Sequence, residues 1–173
     1  MKTHGTNIIQ HVIPIRSGIK PYQQPLRKMH PKLEPLIQSK VKKLLDARII
    51  FKVRHSEWVS NLVPVRNKSV EIRLCMDFRN LNRTSDKDNY PVPPMEQILQ
   101  IVLGSELFSL LDGFSGYSQV LVAEEDRLKT TFRTKRGTFA YRKMPFGLIN
   151  ARATFQRAMD IAFRGLFCRS VVV

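Results

Sequence analysis

Asp112 follows the apolar run 107–111 and precedes a turn of small residues, 113–118, that contains Tyr117. A carboxylate in that setting can hold a divalent cation against a phosphate, because small residues let a phosphate come close to the backbone. It can equally satisfy the amides of its own turn, the commoner use of an aspartate at a strand end. Gly113 and Gly116 divide the same way, between close approach of a ligand and a turn that needs positive φ, and their spacing is not that of a Walker loop. Arg66, Lys68 and Arg73 belong to one hairpin pattern, where point charges and forked guanidinium groups can grip a triphosphate. Taken singly, each reads as a solvated strand charge. Tyr117 and Phe146 offer flat faces to a sugar or base, a contact worth about 1–3 kcal/mol per base, or else they fill core. His4, His11, His30 and His55 share no metal-ligand spacing, and Cys75 and Cys168 stand far apart, which argues against a zinc site and a disulfide framework.

These residues must be positioned by elements that the pattern of apolar residues predicts. Residues 1–30, rich in Pro and basic side chains with no acidic one, read as an extended basic strap rather than a packed element. From Pro31, Leu33, Leu36, Ile37, Val41, Leu44 and Leu45 recur at helical spacing beneath a lysine-rich face. Residues 61–66 and 71–76 alternate as an antiparallel hairpin, and Pro64 suggests that the first of these strands is an edge. Residues 80–94 read as a loop, and Pro94 opens a helix that Gly104 stops. Strands are expected over 107–111 and 119–122, a second hairpin over 130–134 and 138–144, a helix through Phe155, Met159, Ala162, Phe163 and Leu166, and a strand start at 170–173.

A length of 173 residues suits one domain or a large part of one. Hydrophobic residues at 43% and charged residues at 25% are enough for a core and argue against disorder. The 29 Lys and Arg exceed the 14 Asp and Glu by 15, and the isoelectric point is near 10.3. That field attracts polyanions, nucleic acid first, with an anionic membrane surface or a ribosome-like assembly behind it. No run approaches the roughly 18 apolar residues of a membrane span and the start is not signal-like, so the chain reads as soluble and intracellular with no membrane partner. On these grounds alone it is a basic α+β binder of nucleic acid or nucleotides.

Ordered motifs narrow this. Residues 56–61 (SEWVSN), 72–82 (IRLCMDFRNLN), 111–117 (LDGFSGY), 144–148 (MPFGL) and 153–156 (ATFQ) together resemble the reverse transcriptases of gypsy-type long-terminal-repeat retrotransposons, across roughly residues 11–173. The resemblance implies an α+β right-hand polymerase fold. Its fingers would be about 31–105 and 125–150, and its N-terminal palm segments about 106–124 and 150–173, behind a linker strap at 1–30. It implies RNA-directed DNA synthesis by two-metal nucleotidyl transfer, with Mg²⁺ as cofactor and with an RNA or DNA template-primer and dNTPs as partners. The rest of a polyprotein (thumb, RNase H, integrase) is expected alongside, in a cytoplasmic particle or the nucleus.

By the same resemblance Asp112 is the first of three catalytic aspartates, and the Gly113 carbonyl adds a ligand to the nucleotide-bound metal. Arg73, with Lys68 or Arg66, clamps the triphosphate, and Tyr117 lies under the sugar and excludes a ribose 2′-hydroxyl. Phe146, Gly147 and Gln156 line the nucleotide pocket. The family continues beyond the position of Val173 with a Tyr-x-Asp-Asp hairpin, so the expectation is a chain cut before its remaining carboxylates and inactive by itself. Val70 stands where a hairpin-turn Gly is usual and Arg152 where Pro or a small residue is usual. Both fit a decayed element copy, and a non-catalytic basic nucleic-acid-binding module is the alternative.

Overall fold

The structure, a computed structural model, describes residues 9–66, 72–107, 109 and 115–166. Helix α1 (Glu34–Asp46) follows a 3₁₀ turn, Pro31–Leu33, whose His30 ring accepts the Lys32 N–H at 3.3 Å. Proline at the first turn costs no hydrogen bond there. Ile37 and Val41 are the buried side chains of α1. The helix ends at Ala47 with Arg48 in the left-handed region, φ 54°, and the Ile49 amide closes back on the Leu44 carbonyl at 2.9 Å.

Strands β2 (Ile50–Val53), β3 (Ser60–Arg66), β4 (Ile72–Met76), β6 (Phe132–Thr134) and β7 (Gly137–Tyr141) form one mixed five-stranded sheet in the order β2-β7-β6-β3-β4. In β4, Ile72 and Met76 are buried while Arg73 and Cys75 point to solvent, the alternation of a half-buried strand. Phe132, Phe139 and Tyr141 stack beneath the sheet, ring centroids 5.5–5.7 Å apart, among the buried Ile37, Ile50, Leu62 and Ile72. A two-stranded parallel pair, β1 (Gln10–His11) with β5 (Leu121–Val122), lies beside helix α4 (Ala151–Ala162) and joins the larger sheet through Val122 and Met144.

Several expectations change. The hairpin of β3 and β4 forms, with Pro64 opposite Leu74, but β3 is flanked by β6 as well, and of the two it is β4 that lies at an edge of the sheet. Pro64 is tolerated because β6 pairs only with Ser60 and Asn61, so the proline sits beyond that ladder. The stretch 80–94 is not all loop: helix α2 (Arg79–Thr84) opens it, anchored by the buried Leu81. Residues 116–119 form a 3₁₀ turn, so β5 starts at Leu121 rather than at 119. Thr130 and Thr131 close a 3₁₀ segment, Glu124–Thr130, by bonding their hydroxyls to the Arg127 and Leu128 carbonyls, each at 2.6 Å. Helix α4 stops before Phe163, with Gly165 at φ 86°. The helix predicted after Pro94 is present as α3 (Met95–Val102), and none of its residues is buried. The strands expected at 107–111 and 170–173 lie largely or wholly outside the described residues.

Residues 9–27 are extended apart from a turn at 17–18, and they are packed at His11, Ile13 and Gln24. His11 and Ile13 are buried, the Ile13 amide donates to Asp126 at 2.6 Å, and Lys129 pairs with Asp126 while donating to the Ile13 carbonyl at 2.8 Å. Further on, Gln24 donates to the Asp77 carbonyl at 2.9 Å and accepts the Asn61 amide at 2.7 Å. The strap therefore fastens β3, β4 and the segment after β5 to one another, where the sequence reads as an extended arm rather than a packed element.

Candidate functional site

The turn before β5 starts at Ser115, a non-glycine residue at φ 50°, ψ 38°. This left-handed kink throws Gly116 against the Phe155 ring: a Cβ there would lie 2.7 Å from Phe155 Cε2, closer than such contacts come. Only glycine fits, so the requirement at 116 is close approach within the protein rather than positive φ. The next residue, Tyr117, is set between two rings, Phe146 at 4.6 Å and 34° and Phe155 at 5.2 Å and 59° between planes. Phe146 is 71% exposed, so the cluster presents an aromatic face to solvent from a half-buried base.

The segment carrying Phe146 is fixed from α2. Asn82 Nδ2 donates to the Gly147 carbonyl at 2.7 Å, and the Ile149 amide donates to Asn82 Oδ1 at 2.9 Å. Gly147 has φ 95°, and its backbone runs over Phe78 and Met76, where a Cβ would touch Phe78 Cδ2 at 3.6 Å. Met76 ends β4, and Arg73 stands exposed on that strand, about 10 Å from Met76 at the rise of an extended chain. The order β4, α2, segment 144–150 thus strings an exposed arginine, an amide staple and an exposed ring along connected elements.

Gln156 is buried, and its amide donates to Asp160 Oδ1 at 3.1 Å. The other Asp160 oxygen takes the Tyr90 hydroxyl. Arg157 lies 4.2 Å over the Tyr90 ring and forks onto Asp88 at 2.8 and 3.1 Å. That fork holds the Asp88 carboxyl below its ordinary range, and the bond to Asp160 raises the Tyr90 phenol. The loop after α2 is thereby tied to α4. On the same helix, His11 Nδ1 lies 2.8 Å from Thr154 Oγ1. The threonine hydrogen is committed to the Asn150 carbonyl at 3.0 Å, so the imidazole donates from Nδ1. Burial lowers His11 to about 4, against the opposing pull of Asp126 and Asp88.

Of the residues singled out in the sequence, Tyr117, Phe146 and Gly147 come together and Arg73 stands on the connected strand β4. Gln156 adjoins the cluster through its neighbour Phe155 but turns its amide to Asp160. Arg66 closes β3 opposite Ile72, and Lys68, Val70, Asp112 and Gly113 lie outside the described residues. Arg152 stands exposed in the first turn of α4, where its charge reaches solvent. Asn82, Phe155 and Asp160 were not predicted as site residues. Asn82 and Phe155 fall inside the motifs 72–82 and 153–156, but their roles are not legible there, since Asn82 acts on a backbone 65 positions away. Among the described residues no group of three His, Cys, Asp or Glu side chains could hold a metal ion, so the described residues by themselves do not form a metal site. Among them, too, no helix is long and apolar enough to cross a membrane.

The geometry defines a mixed α+β fold with a partly exposed aromatic cluster. Residues 65–170 match the reverse transcriptase (RNA-dependent DNA polymerase) family, and the chain belongs to it. It is similar to the retrovirus-related Pol polyprotein of transposon 297 from Drosophila melanogaster, 34% identical over 174 residues that cover 97% of this chain and 16% of that protein. It is also similar to the Pol polyprotein of the Drosophila melanogaster transposon gypsy, 44% identical over 92 residues, 53% of this chain and 9% of the other. In fold it resembles the protease-reverse transcriptase of prototype foamy virus, with a TM-score of 0.80 at 20% identity over 94% of this chain and 23% of that one. A foamy viral protease-reverse transcriptase in complex with an RNA/DNA hybrid gives 0.73 at 20% identity, covering 93% and 22%. The chain spans less than a quarter of the length of each of these. It is of the retrotransposon type, and reverse transcriptases generally use divalent metal ions.

Proposed function

We propose that this chain is the nucleotide- and template-primer-gripping part of an RNA-directed DNA polymerase, with residues 31–173 forming fingers and the first part of the palm. The observation that carries this is the Tyr117–Phe146–Phe155 cluster with its exposed Phe146 ring, its Tyr117 five residues after Asp112 in the sequence. In this reading Tyr117 lies under the sugar of the incoming nucleotide and opposes a 2′-hydroxyl by bulk. Phe146 supports a base, and Gly147 and the Gln156–Asp160 pair shape the pocket wall. Arg73, with Arg66 and Lys68 on the same hairpin, holds the triphosphate. Asp112 and the Gly113 carbonyl would serve as ligands of Mg²⁺. These 173 residues contain no Tyr-x-Asp-Asp run that could supply further carboxylates. An RNA/DNA hybrid, the ligand of one foamy viral neighbour, is the partner class.

Two measurements test the reading. A fluorescent dNTP titrated into the complex of this chain with an RNA/DNA hybrid binds at least about tenfold more weakly to Arg73→Ala, the loss expected of one charge-assisted contact. Equal affinity for the two proteins removes Arg73 from the clamp. In primer extension with Mg²⁺ the 173-residue polypeptide is silent. Extension that Asp112→Ala abolishes would contradict this, because a single carboxylate does not hold two Mg²⁺ ions in near-octahedral sites.

A further inference from the structure

On a different face, α1 and the tip of the β6–β7 hairpin enclose a groove of 620 Å³ that shares no residue with the Tyr117–Phe146 cluster. Its floor is apolar, with Met29, Pro35 and Leu45 at least partly exposed above the buried Ile37, Val41 and Phe139. Its rim is basic, with Lys42, Lys52, Lys135 and Arg136 against the single carboxylate of Glu34. Glu34 is already engaged by Lys135 at 3.0 Å. Lys42, Lys52 and Arg136 are exposed and pair with no carboxylate among the described residues. A groove lined this way leaves apolar surface wet and like charges crowded around it, two costs that an occupant of the right chemistry relieves together.

We infer that this groove docks an acidic, amphipathic peptide segment of a protein partner, its aliphatic side chains on the floor and its carboxylates against the lysine and arginine rim. Charge complementarity selects an acidic occupant, and the floor selects among acidic occupants. A nucleic acid would bring phosphates that need water or donors and bases that need aromatic faces. The only ring here, Phe139, is buried and presents little of its face. A helix with apolar residues at i, i+3, i+4 and i+7 fits such a groove in the manner of other helix-in-groove complexes. The binding is independent of polymerase chemistry and uses a surface that the gripping site does not touch.

The test uses the full chain and a fluorescein-labelled peptide of about four helical turns, with leucines at those spacings and glutamates elsewhere. Its anisotropy is read against a scrambled peptide of the same composition. The amphipathic peptide binds saturably, the scrambled one at least about tenfold more weakly. The double charge reversal Lys52→Glu/Arg136→Glu, at exposed positions that leave the core intact, weakens the peptide by a similar factor and weakens an RNA/DNA hybrid clearly less, by no more than the general loss of positive charge brings. Equal binding of the two peptides, or indifference to the charge reversal, overturns the inference. So does stoichiometric displacement of the peptide by the hybrid, which would make the groove part of a nucleic-acid path.

Discussion

Gly116 shows how narrow the tolerance is at the aromatic cluster. Its missing Cβ lets Phe155 reach Tyr117, and the 2.7 Å that a methyl would have to occupy leaves only displacement of the ring. Gly116→Ala is expected to cost about 1–3 kcal/mol by overpacking, read as a lowered urea midpoint, and to shift the tyrosine fluorescence of the site. An unchanged midpoint would show that Phe155 yields freely. His11 makes a second residue-scale prediction. Its folded value of about 4 lies below its ordinary 6.5, so the unfolded chain binds the proton more readily. The neutral ring stabilises fully above pH 6.5, the contribution falls as pH drops from 6.5 towards 4, and the total loss is on the order of 3 kcal/mol. Denaturation midpoints measured between pH 7 and 4 should fall less steeply in His11→Asn, which keeps an N–H donor and does not titrate. Parallel curves would assign the acid lability to other groups.

At the scale of elements, Arg48 is the clearest handle. It occupies the left-handed position after α1, which glycine fills without strain, so Arg48→Gly should raise stability by about 0.5–1 kcal/mol in denaturant melts. A loss would mean that the arginine side chain contributes contacts beyond its backbone. The elements that periodicity announces, α1, the β3–β4 hairpin, β6–β7 and most of α4, are where the sequence placed them, because each buries a face or stripe at its own period, and α3 is there too although none of its residues is buried. The elements it hid are those whose stability comes from elsewhere. Helix α2 is rich in asparagine and arginine, weak helix signals in asparagine's case, and holds through buried Leu81 and the bonds of Asn82 to residues 147 and 149. The strap reads as an extended arm because of its prolines and basic side chains, whereas its packing depends on His11, Ile13 and Gln24 meeting partners more than 30 positions away. Within the site, the resemblance pointed to Tyr117, Phe146 and Gly147 together. Neither it nor the spacing of residues revealed that Gln156 would face Asp160 rather than solvent.

For the whole molecule the excess of 15 positive charges and the exposed aromatic cluster make separable claims. Charge alone predicts binding to any polyanion, weakening linearly in log affinity with log salt. A platform predicts, in addition, a contribution from stacking that salt does not remove. Helix α3, with no buried residue, adds apolar surface that the described residues leave uncovered, including Met95 and Leu99. The account rests most on the cluster as a gripping surface, and the most direct test is a filter-binding titration of a labelled RNA/DNA hybrid across a salt series, comparing the chain with Phe146→Ala. The account predicts saturable binding by both proteins with the same salt slope, and a uniform loss in Phe146→Ala of about 1–3 kcal/mol, roughly 5- to 150-fold in affinity. Identical affinities at every salt concentration would contradict it and leave only a non-specific basic coat.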